Sequence, residues 1–244
     1  MLRFVLWILF FIWLLFVPVG NLLVDWQWFS HVSHLELLST RIWMQISLWI
    51  GTFLLTAGYI YLQTALANRT ERFKLVYIED QFEIELTENQ WRGLLRILHL
   101  IVALVPAFTF ANLAAGQWLY GLALLDPESF GQIDPVFGHD LGFYVFQLPM
   151  IQFLVGLIEF VTIVTLFLTA FQHLGRDVLF GGGEEGVSEQ AQRHLLGQGA
   201  FVFVIFSIDW FLERYQVLFT QEGAVWGAGY ADLNARIPGD WIMV

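Results

Sequence analysis

The chain has 244 residues, 57% of them hydrophobic and 14% charged, with a formal net charge of −11 and a mean hydropathy of +0.64. A soluble core of this length cannot hide so much apolar surface, so a lipid bilayer is the expected solvent for most of it. Eleven basic residues against 22 acids argue against nucleic acid as a partner, and the lack of cysteine excludes disulfides, iron–sulfur ligation and thiol chemistry.

The N-terminal run LRFVLWILFFIWLLFVPVG is longer and bulkier than a signal-peptide core, and no small-x-small cleavage site follows. It is expected to stay as a helix over about 3–23. The next stretch, WQWFSHVSHLE at 26–36, reads as an aromatic belt on the bilayer surface, with metal binding by His31, His34 and Glu36 as the competing reading. Further spans are expected at about 42–67, 94–115, 150–174 and 196–219, each near the ~20 residues a crossing needs. Between the second and third, Phe82, Ile84 and Leu86 alternate with Glu83 and Glu85, which predicts a small surface hairpin. Thr87-Glu88-Asn89-Gln90 then matches a capping box for the third helix, which Pro106 should kink. Gly181-Gly182-Gly183 reads as a linker, since no phosphate-loop Lys follows.

Basic residues orient these spans. Arg3, Arg69, Arg72, Lys74, Arg92, Arg96, Arg176 and Arg193 fall on one side; Arg41, Arg214 and Arg236 fall on the other. The bias predicts a cytoplasmic N-terminus in a bacterial plasma membrane. The 116–149 loop, which has no Lys or Arg, is then extracytoplasmic. Its acids Asp126, Glu128, Asp134 and Asp140, with His139, lack the spacing of a calcium loop, and its Asp-Pro and Phe-Gly pairs point to turns. The expected fold is therefore all-α: a polytopic membrane domain over 1–219 with about five spans, ordered outer loops and a small cytoplasmic hairpin. An outer or interfacial segment, 220–244, follows it.

Polar residues inside the spans are the informative ones. Glu159 lies mid-helix on one face with Gln152 and Thr162, and Asp209 lies mid-helix four residues before Glu213. An ionised carboxylate facing lipid costs about 2.5–3.5 kcal/mol, so both must face protein or water. They read either as proton or cation carriers or as partners in helix–helix hydrogen bonding, within the chain or to another subunit. Arg214, next to Glu213, is read as reaching outward to the interface. His99, His173 and His194 fall at one depth near the cytoplasmic ends of three helices. Imidazoles so placed can ligate haem or a chlorophyll-type pigment; the competing reading is satisfaction by headgroups and water.

Two loops carry a resemblance. LLDPESFGQIDPVFGHDLGFYVFQLP at 124–149 holds Asp134, Pro135, Phe137, Gly138, Asp140, Gly142, Phe143, Tyr144 and Pro149, and LFTQEGAVWGAGYADLNARIP at 218–238 holds Gly227, Ala228, Gly229, Tyr230, Asp232, Asn234, Arg236 and Pro238. Together with WQWF and ERYQVLF, they resemble the signature loops of a bacterial multi-pass family, uncharacterised protein family 0182. The resemblance implies about seven spans followed by a large extracytoplasmic domain, so this chain reads as the N-terminal membrane part of such a protein. It assigns no catalytic role to any residue.

From these loops an ordered outer cap is expected, with 126–149 and 225–238 in contact. Arg236 is the only basic residue in either loop and is expected to pair with Asp140 or Asp232, with Asp134 and Tyr230 in the same cap. Three function classes follow. The first, and the favoured one, is a non-enzymatic module docking a protein partner or a larger membrane assembly. The others are a transport component using Glu159 and Asp209, and a haem- or pigment-bearing accessory subunit of a bioenergetic complex. No cofactor is expected under the favoured reading.

Overall fold

The computed structural model describes residues 2–69, 88–180, 188–221 and 226–243. Among these residues the chain is helical, and the single β pairing is an isolated bridge between Ile133 and Asp140. Helix α1 spans Leu2–His31 and α2 spans Leu35–Arg69. The aromatic segment expected to lie between them as a surface stretch is instead the last turns of α1. The chain reverses in three residues: Ser33 takes a left-handed φ of 58°, His34 N–H reaches the Phe29 carbonyl and Ser33 N–H the Ser30 carbonyl. That pair of bonds satisfies carbonyls the helix end would otherwise leave open. Arg41 and Asp25, 3.2 Å apart, tie the two helices just beyond the turn.

Helix α3 spans Glu88–Gly116 and continues through Pro106. It buries Ala103, Ala107, Phe110, Ala111 and Ala114, and α2, which packs against it, buries Thr56, Ile60, Thr64 and Ala67, all at 5% exposure or less. Small residues at helical spacing let two backbones approach closely, which is how helices associate where lipid removes the hydrophobic drive. The hairpin at 82–86, Thr87 of the capping box and the glycine linker lie outside the described residues.

A short helix, α4, Trp118–Leu125, occupies the start of what the sequence suggested was loop. It packs on α2 at Gly121, where a Cβ would lie 2.6 Å from Met44 Cε. Helix α5 then spans Leu148–Phe180 and α6 spans Glu189–Glu213, capped by Ser188, whose hydroxyl accepts the Ala191 N–H. A 3-10 stretch, Arg214–Phe219, extends α6, and α7 spans Ile237–Met243.

Both signature loops end alike. A wide π-type turn, Phe143–Gln147 or Asp232–Arg236, runs into an aliphatic residue and a proline, Leu148-Pro149 or Ile237-Pro238. Leu148 N–H bonds back to Phe143 and Ile237 N–H to Asp232. Proline removes a donor and crowds the carbonyl four residues earlier, and a widened turn relieves both demands. Helical structure therefore precedes Pro149, so this proline sits inside a continuous helical run and not at its start.

Among the described residues, four helical segments are long and apolar enough to cross a membrane: Leu35–Ala67, Ile97–Gly116, Phe143–His173 and Glu189–Phe219. The 30-residue α1 is a further long apolar helix. Large apolar side chains such as Phe167, Phe171, Leu196 and Phe203 point outward at more than 70% exposure, as helices in lipid do.

Candidate functional site: a polar seam between two helices

Helices α5 and α6 pack antiparallel, and polar residues meet along their contact at several levels. At one end His173 Nε2 lies 3.2 Å from His194 Nδ1. Four residues along α5, Thr169 donates to Gln198 Oε1 at 2.8 Å. At mid-helix Glu159 lies within electrostatic reach of Asp209. Towards the other end Gln216 donates to Gln152 at 3.1 Å. A step of four residues down α5 matches a step of four up α6, and this offset holds to within one residue over the whole seam. Between the pairs, Thr165 and Thr162 continue the stripe, fully buried, with their hydroxyls bonded to carbonyls four residues earlier. The rise from Gln152 to His173 is about 31 Å, close to the ~30 Å hydrocarbon layer.

The histidine end of the seam widens into a network over four helices. His194 Nε2 lies 2.8 Å from Gln63 Oε1 on α2, and Gln198 Nε2 donates to the same oxygen at 3.1 Å. His194 Nε2 also lies 3.0 Å from Gln198 Nε2, so Gln63 and Gln198 both meet this one ring nitrogen while Nδ1 faces His173. Gln172 Nε2 lies 3.2 Å from His99 Nε2 on α3 and donates to the Thr64 carbonyl on α2. Of the three histidines expected at one depth, His173 and His194 meet directly, with Gln63 and Gln198 around them, while His99 is held beside them by Gln172. For His194 to ligate a haem iron, its ring contact to His173 or those to Gln63 and Gln198 would have to break. Glu213, read with Asp209 from the sequence, is exposed at the end of α6. Among the described residues, no group of three or more His, Asp or Glu is placed to hold a metal ion.

The opposite end is the cap. Asp134, 3% exposed, accepts from Val136 N–H at 3.0 Å, Phe137 N–H at 2.6 Å and the Tyr144 hydroxyl at 2.9 Å. Asp140 accepts from the Ser129 hydroxyl and from the N–H groups of Phe130 and Gly142. Gly142 is obligatory here, because a Cβ would run into the Glu128 carbonyl. Tyr144 and Tyr215 pack with Leu148 and Leu212 beneath the loop.

Arg236 does not tie the two loops together. It lies 4.0 Å from Asp232, one turn away on the same helical stretch, with half its side chain exposed. Asp232 accepts instead from Gly229 N–H, and Tyr230 is 84% exposed. The loops do face one another, but across a cavity of about 400 Å³ whose walls include Phe137 and His139 from the first and Leu233 and Ile237 from the second. The basic residue between them is Arg214. Its guanidinium lies 3.6 Å from the Phe211 ring centre, 4.8 Å from Trp241, 4.9 Å from Tyr215 and 5.6 Å from Phe137. A cation attracted by aromatic faces does the joining that an ion pair was expected to do.

Burial alone would raise the Asp134 carboxyl, but the N–H groups of Phe137 and Val136 and the Tyr144 hydroxyl outweigh it and hold the group below the ordinary carboxylate range. The Phe130 and Gly142 N–H groups hold Asp140 down likewise. Carboxyls lowered in the folded state stabilise it fully above the ordinary aspartate value of about 3.9, and that contribution is lost as pH falls through the lowered values. Hydrogen exchange at 129–142, corrected for its intrinsic pH dependence, should stay slow down to about pH 4 and quicken below it. Exchange that is equally slow throughout would contradict these roles.

A helical bundle crossed by a polar seam defines a polytopic membrane protein. Residues 2–244 match the model of the uncharacterised protein family UPF0182, and the chain belongs to that family. It is 28% identical over 242 residues to a UPF0182 protein of Moorella thermoacetica, covering 92% of this chain and 26% of that one. With a UPF0182 protein of Kocuria rhizophila it shares 29% identity, covering 94% of this chain and 23% of the relative, and with one of a Synechococcus species 29%, covering 90% and 23%. The chain thus spans about a quarter of the length of the curated relatives it matches. No solved structure matches it.

Proposed function

We propose that the chain is a non-enzymatic module of the bacterial plasma membrane, N-terminus in the cytoplasm, that passes protons along the α5–α6 seam. The observation that carries this is the length of the seam: polar side chains on one helix stripe cover the hydrocarbon thickness and bond to polar partners on α6 at three levels. Buried ionisable groups in spans are costly to hold, which makes proton pathways their common use. His173 and His194 supply two titratable rings 3.2 Å apart at the inner end, between which a proton can pass. Glu159 and Asp209 supply the carriers at mid-membrane. Helix pairing through hydrogen bonds is the plainer use of the same residues, and flux separates the two. Vesicles reconstituted with the intact chain should acidify under an imposed potential faster than empty vesicles, and Glu159→Gln should return them to the empty rate. Vesicles with the natural chain that stay as tight as empty ones would refute the transport reading.

The docking of a protein partner is the second reading. It is favoured by the cap end, where Trp226, Tyr230 and Ile242 stand 79%, 84% and 85% exposed beside an ordered loop. Gentle extraction and mass determination of the intact particle would show a companion chain under this reading and a lone chain otherwise.

A further inference from the structure

The geometry points to the cavity beside Arg214 as a binding site for the phosphate of an anionic phospholipid. Arg214 carries five N–H donors in a fixed fork, yet its one hydrogen bond is from Nη2 to the Tyr215 hydroxyl at 3.0 Å. Its Nε is buried with no partner, and among the described residues no carboxylate pairs with it. The nearby acid Asp134 is already bonded to two loop N–H groups and Tyr144. Aromatic rings hold the guanidinium in place without neutralising it, which leaves a positioned cation beside open space. A phosphodiester oxygen pair matches the fork of Arg where a neutral group does not.

The cavity's volume of about 400 Å³ suits a headgroup. Val136, Leu233, Ile237 and Trp241 give it an apolar side against which glycerol and the first acyl carbons can lie. Its depth fits as well. Arg214 follows the last residue of α6, near the end of the Glu189–Phe219 span, where lipid phosphates sit. His139, whose Nε2 lies 3.2 Å from the Tyr215 hydroxyl, completes the polar wall.

The test is native mass spectrometry of the delipidated intact chain titrated with phosphatidylglycerol, with phosphatidylcholine and inorganic phosphate as separate arms. One phosphatidylglycerol per chain should bind more tightly than any later one. Arg214→Gln should weaken that first site about tenfold or more, and Arg214→Lys should recover only part of it. Leu233→Trp, which fills the cavity and leaves the guanidinium in place, should remove the site even if Arg214→Gln fails to fold. Retention of the tight site in both Leu233→Trp and folded Arg214→Gln would overturn the assignment. Competition by inorganic phosphate as strong as by the lipid would reassign the site to free phosphate, and equal binding of phosphatidylcholine would remove the preference for an anionic lipid.

Discussion

Asp134→Ala is expected to destabilise the cap by about 3–5 kcal/mol, because it removes a buried charged acceptor from three donors at once. The Tyr144 hydroxyl, held under the loop at 5% exposure, would lose its acceptor. The amides of Val136 and Phe137 would lose the side chain that closes their turn. Chymotrypsin should then cut at Phe137 while the helical circular dichroism is retained. Arg236→Gln in the same assay should lie within about 0.5 kcal/mol of the natural chain, since an exposed pair at 4.0 Å contributes little. A natural-like cleavage rate for Asp134→Ala would show that the loop is held by packing alone.

His194 is the second position where a large effect is expected, and two substitutions there divide structure from transport. His194→Leu removes one hydrogen-bond partner each from Gln63 and the His173 ring, at about 1–3 kcal/mol, and should also stop proton flux. His194→Gln can still bond to both neighbours but cannot take up a proton. Its thermal stability should stay close to that of the natural chain while flux falls at least tenfold. If His194→Gln conducts normally, the histidine is a helix-packing residue and the relay is wrong at this end.

The spans were readable because a run of about 20 apolar residues has no other home than a membrane or a deep core. Boundaries were less so. Helix α1 runs eight residues beyond the apolar stretch because a three-residue reversal at Ser33 lets its aromatic end stay helical. Helix α4 went unseen since WLYGLALL is too short to span, and its fit to α2 depends on Gly121, a contact with Met44 that no local pattern encodes.

The site was half legible. His99, His173 and His194 announced a shared depth by position, and Glu159 and Asp209 announced themselves by their cost in lipid. The linkers Gln63, Gln172 and Gln198 were passed over because neutral amides raise no such alarm. The spacing of Gln152, Glu159, Thr162, Thr169 and His173, in steps of three, four or seven, was the signal that could have found the seam. Arg236 meets Asp232, one of its two expected partners, because 232–236 is a helical turn that makes them neighbours, and this keeps it from reaching across to Asp140. Arg214 is less legible: Phe211 and Tyr215 lie beside it in sequence, but Phe137 comes from the first loop and Trp241 from α7, and only the fold brings those two to it.

The seam as a proton path stands or falls on whether Glu159 changes protonation in the membrane. Infrared difference spectra of the reconstituted chain, recorded across a pH titration, report this directly through the carboxyl C=O band. The account predicts a band that appears and disappears with pH in the natural chain, shifts in Asp209→Asn because the neighbouring carboxyl is replaced by an amide, and is missing in Glu159→Gln. A spectrum unchanged by Glu159→Gln across the physiological range would leave the carboxyl a silent structural group and contradict the path.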